Sequence, residues 1–545
     1  MRLYLTYLLS FILIASCSSP KPKEKGNDKT EMVPPVIAPF DDVDILSIND
    51  WWNREENKII NLKVDRKDVV AFGIYTVANN TLKLSAQLYP LYPAETREVR
   101  LEIKKDGVWN EIAKQMVNDL GWSALFRVEN WDSTVDTPYR LLHGEQASFE
   151  GLVRKDPIDK EEIRLAALSC NSNKDRGDRA NYVRNIDHQD PDLIFFAGDQ
   201  SYDHKEHTAA WLKFGLQFRE IFRKRPCITI PDDHDIGQGN LWGEYGKIAS
   251  STAGNDGGYF YHHEYVKMVE RCQTAHLPDP YDPTPVEQGI GVYYTNLNIG
   301  GVDFAIIEDR KFKSGPKDKI PQQGPRPDHI RNPDYDPKTV DVEGLELLGG
   351  RQLIFLDEWG QQTDGVAMKA VLSQTGFCGG AHIHGNKDNR LHADMDSNGW
   401  PQTGRNKALK AITRANAVHI AGDQHLATVI KHGTDEYDDG PWAFVVPAIV
   451  NNYYSRWWWP EDEKPGKNSN DVLPWTGQYM DGFNNKITMH AYVNPESPSS
   501  GGGYGLIRFQ KSEKDVVFEC WPRDVDVTKE GAEQFVGWPF KVSMN

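Results

Sequence analysis

Positive charge is what this sequence has too little of. Across 545 residues, 62 Lys and Arg face 79 Asp and Glu, a formal net charge of −17 at pH 7. General nucleic-acid binders carry a basic footprint, so that role is set aside. Cysteine is scarce too: the chain has six, never in a Cys-x-x-Cys spacing, which argues against a closed thiolate zinc cage. Long apolar runs are missing after residue 14, and nothing later reaches the about 20 residues needed to cross a bilayer. No internal repeat is evident. Aromatics at 11% and 32 prolines are too many for a disordered acidic chain, which could not bury enough apolar surface to fold. What remains is a folded acidic protein, long enough for several domains of about 150 residues each.

The first residues indicate a compartment. Arg2 precedes an apolar run from Leu3 to Ile14, which leads into Ile14-Ala15-Ser16-Cys17. That length suits a secretory segment rather than a membrane span. The box resembles a bacterial lipoprotein signal, which implies removal of residues 1–16 and lipidation of Cys17; a plain secretory peptide with an incidental cysteine is the other reading. Lipidated Cys17 would tether the protein to an inner or outer membrane of the cell envelope. Residues 17–40, rich in Ser, Pro, Lys, Glu and Asn, read as a solvated tether. Cys170, Cys227, Cys272, Cys378 and Cys520 then remain, an odd number, so at least one is outside any intramolecular disulfide.

Over residues 41–156 short alternating runs, such as Val69–Tyr75, Thr81–Leu88 and Arg97–Ile103, are broken by Asn-Asn, Pro and Asp-Gly. Period-two alternation of this kind predicts antiparallel strands, most simply a β-sandwich of fibronectin or immunoglobulin type. Residues 160–545 change character. Apolar runs of four to six residues alternate with helical stretches, as in an α/β fold whose strands are buried on both faces. Residues Thr208 to Arg225 predict a helix that stops before Pro226, its stripe of Trp211, Phe214, Phe218 and Phe222 facing the core.

The chemistry lies where the buried runs end. Leu165–Leu168 leads into Ser169-Cys170-Asn171, Leu193–Ala197 into Gly198-Asp199-Gln200-Ser201-Tyr202, Cys227–Ile230 into Pro231-Asp232-Asp233-His234-Asp235, and Val418–Ala421 into Gly422-Asp423-Gln424-His425. Carboxyl ends of strands are where α/β sheets bind ligands. Carboxylate, phenol, thiol and imidazole together suit a trivalent iron or similar ion beside a divalent one. Two ions about 3.5–4 Å apart can clamp a phosphoryl oxygen and lower the pKa of a shared water from about 16 toward about 7. Asp199 is the candidate bridging carboxylate. His234, flanked by Asp233 and Asp235, is placed to protonate the leaving oxygen.

These motifs, in this order, resemble the alkaline phosphatase D family of metallophosphoesterases, relatives of the calcineurin-like and purple acid phosphatases. Phe304–Arg310, Leu348-Gly349-Gly350-Arg351-Gln352 and Phe518–Arg523 extend the resemblance, which runs from about Val69 onward. It implies a four-layer αββα core preceded by a small β-domain, an Fe(III)–Ca(II) type centre open to other divalent ions, and hydrolysis of phosphomonoesters and phosphodiesters at alkaline pH. The implied mechanism is in-line attack by a hydroxide shared between the metals, with His234 protonating the leaving group. Carried across residue by residue, Cys170, Asp199 and Tyr202 would hold iron, and Asp423 and His425 match the last metal motif. Asp233 stands where relatives place an Asn on the second metal.

Three departures are visible. The amide after the Asp-Asp-His motif is shifted to Asn240, a candidate to bind the substrate. The middle histidine motif is missing, with Ser373-Gln374-Thr375 in its place and His382 and His384 close by. No twin-arginine export signal precedes the apolar run. For a phosphate-ester substrate, Arg310 and Arg456 offer guanidinium forks. Residues 451–460 concentrate Tyr453, Tyr454, Trp457, Trp458 and Trp459, either as a cleft wall or as core filling. A surface lipoprotein binding a glycan or phospho-polymer through those aromatics is the alternative to an enzyme.

Overall fold

A computed structural model describes residues 38–40, 42–47, 51–53, 55–383, 385, 389–451, 453, 455–457 and 472–545. The apolar leader, Cys17 and the tether up to residue 37 lie outside the described residues, as do His384, Tyr454, Trp458 and Trp459. Among the described residues no helix is long and apolar enough to cross a membrane.

The fold is mixed α/β with several sheets. Strands Val70–Ala78, Thr81–Leu88 and Ser123–Val128 form a three-stranded sheet, and Glu98–Lys105, Val108–Met116, Thr137–His143 and Ala147–Val153 form a four-stranded one. Every pairing within them is antiparallel, as the alternating pattern predicts.

Two larger sheets follow. In the seven-stranded sheet Cys227–Thr229, Leu193–Phe196 and Glu162–Asn171 run parallel, and Gly503–Gln510, Asp515–Pro522 and Phe540–Ser543 continue it antiparallel. Ala448–Val450 pairs onto the far end of Glu162–Asn171, opposite Ser169 and Asn171. The eight-stranded sheet has Val302–Ile306, Met368–Thr375, Ala417–Gly422 and Trp442–Val445 as a parallel centre. Continuous apolar runs follow from burial on both faces. Leu165, Ala167 and Phe195 join Phe304, Ile306, Leu372 and Ile420 of the other sheet in one cluster. The alternate residues Leu168, Ile194 and Phe196 pack instead with Phe214, Phe218 and Ile186 of helices, as Val371 does with Leu356, Trp359 and Ile412.

The aromatic stripe is core: Phe196 meets Phe214 and Phe218 at ring centroids of 4.9 and 5.0 Å. The helix carrying it spans His207–Phe222, shorter at its end than the sequence predicts. The chain leaves the helix before Pro226 because the Arg223 carbonyl accepts from Leu152 N at 2.6 Å and Arg225 turns to Asp187 and Asp190. The five cysteines of the described chain are all buried and free, so the odd count reflects core thiols rather than a missing partner.

Candidate metal centre

Both large sheets deliver their strand ends to one place. Cys170 closes the Glu162–Asn171 strand, Asp199 follows Leu193–Phe196, Asp232 to Asp235 follow Cys227–Thr229, and Asp423 and His425 follow Ala417–Gly422. Four of these residues carry left-handed backbones: Cys170 (φ 57°), Asp199 (56°), Asp423 (65°) and His425 (52°). Non-glycine residues rarely adopt this region, and its cost is tolerated where function fixes the geometry. The turns need their glycines. A Cβ on Gly198 (φ 107°) would stand 2.5 Å from Asp232 Cβ, and one on Gly422 would meet Ser169 Oγ at 2.2 Å.

Asp199 is the hub. It shares a donor group with Cys170 and His425, a second with Asp233 and His234, and a third with Asp232, Asp233 and Asp423, the donor atoms of each group lying within 4.8 Å of one another. Tyr202 Oη is 2.8 Å from His425 Nε2. Its ring lies on that of His234, centroids 4.1 Å apart. His425 Nδ1 is 3.3 Å from Asn451 Oδ1, just past the Ala448–Val450 strand. Burial, then the charges of Asp232, Asp235 and Asp423, holds the Asp199 carboxyl well above the usual carboxylate range. Burial and Asp199 do the same to Asp233. Burial, Asp199 and Asp423 push the Cys170 thiol up, while burial with His204 and His425 nearby brings His234 down to about 3.

So many buried acids need a countercharge. One is Arg310, whose Nε lies 2.7 Å from Asp232, Nη1 2.6 Å from Asp396 and Nη2 3.2 Å from Asp423. At 1% exposure it is committed to carboxylates, and a phosphate would have to displace one of them. Asp232 also caps the short Asp233–Ile236 helix, accepting from Asp233 N at 2.9 Å, which leaves Asp233 as the freer carboxylate of the pair. The other countercharge would be a cation. Cations fit this donor set: thiol, phenol, imidazole and carboxylate converge, and Asp199 Oδ1 is buried with no hydrogen-bond partner among the described residues.

The remaining sequence candidates hold other partners. Asn240 donates to Asp328 Oδ2 at 3.0 Å. Arg456 donates to the Pro495 carbonyl at 2.9 Å, and its backbone bridges Ile383. His382 is buried with its ring 5.2 Å from that of Trp457, itself fully buried, so this tryptophan fills core rather than walling a cleft. Ser373, Gln374 and Thr375 are buried; Ser373 Oγ meets His419 Nε2 and Gln374 accepts from Asp309 N. Sequence reasoning missed Asp396, His204 and Asn451. Only His204 and Asn451 had a signal, their closeness to Tyr202 and to the strand end.

No family model matches the sequence, and no curated protein does. Among solved structures, one described as "Structure of PhoD" superposes with a TM-score of 0.59 at 14% identity, covering 86% of this chain and 88% of that one. The chain thus has the PhoD-like, alkaline phosphatase D fold expected from its motifs. A Paenibacillus sp. cycloisomaltooligosaccharide glucanotransferase, at 11% identity over 63% of this chain and 43% of its own, reaches a TM-score of only 0.17, too low to indicate common architecture.

Proposed function

We propose that this protein is a metal-dependent phosphoric ester hydrolase acting on monoesters, diesters or both. The observation that carries the reading is one buried carboxylate, Asp199, common to three donor groups at the meeting of two sheets. Cys170, Asp199, Tyr202 and His425 would hold one ion, and Asp199, Asp233 and Asp423 a second. Iron and calcium suit the mixed thiolate, phenolate and carboxylate set, as the family resemblance implies. When bound, such ions polarise a phosphoryl oxygen and make water acidic enough to act near neutral pH.

The chain's own residues do the rest. His234, beside the cluster yet bonded to none of its carboxylates through its ring, is the proton donor for the leaving oxygen. Arg310 fixes Asp232, Asp396 and Asp423 in place, and the Tyr202–His425 bond orients both rings. We further assign the two large sheets to the centre of a four-layer αββα core over residues 160–545, and residues 41–156 to a β-sandwich before it. The Ile14-Ala15-Ser16-Cys17 box supports a lipid anchor in the cell envelope, and detergent-phase partition that is lost in Cys17→Ser checks it.

Purified protein loaded with iron and calcium should hydrolyse nitrophenyl phosphate and bis-nitrophenyl phosphate and lose both activities on chelation. Tyrosinate ligation through Tyr202 should add a visible charge-transfer band that Tyr202→Phe abolishes. No turnover of either ester, with both metals verified by elemental analysis, overturns the reading.

A further inference from the structure

His234 Nδ1 is 2.6 Å from Nε2 of His204, a residue on the exposed loop just beyond Tyr202. The two rings lie 4.9 Å apart at 32°, and on its other side His234 rests on Tyr202. Among the described residues, Nδ1 is the ring nitrogen of His234 with a hydrogen-bond partner, and Nε2 has none. An imidazole has two nitrogens, and the partner held by one decides what the other presents.

The His204 loop is itself pinned. Asn173 Nδ2 donates to the Tyr202 carbonyl at 3.1 Å and to Asp203 Oδ1 at 3.2 Å, Arg176 pairs with Asp203, and Asp44 N donates to the Lys205 carbonyl at 2.6 Å. An exposed histidine on a loose loop would gain little by holding its neighbour. One anchored on both sides can set that neighbour's orientation, because little rotational freedom is left to lose.

We infer that His204 is a positioning residue for His234: it occupies Nδ1 and so leaves Nε2 as the nitrogen presented to the leaving oxygen of a phosphate ester. The inference rests on the phosphoesterase reading above. In the step it serves, the charge of a bound phosphate offsets the burial that favours neutral His234, so the ring acts as imidazolium with Nδ1–H donated to His204 Nε2. Its Nε2 proton passes to the ester oxygen as that oxygen's bond to phosphorus breaks, leaving the neutral imidazole. Water supplies the oxygen that joins phosphorus and the proton that later restores Nε2. The His204 bond stays on Nδ1 throughout.

The test compares leaving groups in the metal-loaded protein. Nitrophenolate departs without a proton, whereas an alkoxide needs one. His204→Ala should lower kcat on an alkyl phosphate about 100-fold, the low end for general acid catalysis, and on nitrophenyl phosphate less than about threefold. KM and metal content should hold. His204→Gln, whose amide can stand about where Nε2 does, should recover part of the loss. Equal losses on both esters, loss of metal, or no recovery with Gln in an active enzyme overturn the inference while the function stands. Wild-type protein inactive on every ester overturns the function and the inference together.

Discussion

Asp199 combines two costs that a stable fold alone would not incur: a left-handed backbone and a buried carboxyl with no partner on Oδ1 among the described residues. Like charges crowd it, since Asp232, Asp235 and Asp423 all raise its pKa. Removing one acid should therefore help the metal-free fold while ruining the site, the trade expected of functional residues. In the chelated protein, Asp199→Asn should raise stability by about 1–3 kcal/mol, the scale of an uncompensated buried polar group. With metals supplied, the same variant should retain less of both ions and lose about 1,000-fold or more in kcat. Thermal melts with and without chelator, with elemental analysis, check both halves. A chelated variant less stable than wild type would make Asp199 a structural residue. The Gly-Asp and Asp-Asp-His motifs made this residue legible in sequence, because a turn that must place an acid leaves both the glycine and the acid in the string. Asp396 left no such mark. It reaches Arg310 from 86 positions away, by way of a two-stranded ribbon pairing His329–Ile330 with Ala393–Asp394.

Among elements, the His207–Phe222 helix couples the early chain to the site. Its own N-cap, Glu206, makes no side-chain cap bond. Asp44 supplies it from afar, Oδ2 accepting from Thr208 N at 3.0 Å and Thr208 Oγ1 at 2.8 Å. Burial, only partly offset by those bonds, raises the Asp44 pKa to about 7. Between its unfolded value near 4 and about 7, the folded protein keeps a proton that the unfolded chain releases. The contribution of Asp44 to stability is therefore full below about pH 4 and is lost as pH rises through about 7. A shift of this size corresponds to on the order of 4 kcal/mol at most. Asp44→Asn keeps an acceptor for Thr208 without the titration. The difference in unfolding free energy between wild type and Asp44→Asn should thus move in favour of the variant from pH 4 to 7, and a flat difference would remove burial of Asp44 as the cause. The helix was legible from its aromatic stripe and Pro226. Its distant cap was not, because an acid 164 positions upstream carries no local pattern.

At the scale of the whole molecule, strand ends and alternation fixed the class of fold, but not which strands meet. Short parallel strands announce their burial, while their order is settled by packing between distant segments. The seven-stranded sheet shows this most clearly. Glu162–Asn171, whose end carries Cys170, takes Gly503–Gln510 as its antiparallel neighbour, with Leu506 opposite Ala166 and Ile507 opposite Leu165. Ile507, Phe509, Phe518 and Cys520 then complete the cluster between the sheets. The late strands are therefore part of the site's foundation, not an appendage to it. Ending the chain at residue 502 should leave Glu162–Asn171 with an open edge and an inter-sheet core stripped of Ile507, Phe509, Val516, Phe518 and Cys520, giving a protein without cooperative unfolding or metal retention. Ending it at residue 536 is a milder cut. It removes buried Trp538 and Val542 but keeps the strands that flank Cys170, so it should fold and bind metal at a loss of about 3–5 kcal/mol, the cost of a buried tryptophan. Urea unfolding followed by fluorescence, with metal analysis of each product, separates the two. A chain ending at 502 that unfolds cooperatively and holds its metals would show that the site stands on the parallel strands alone.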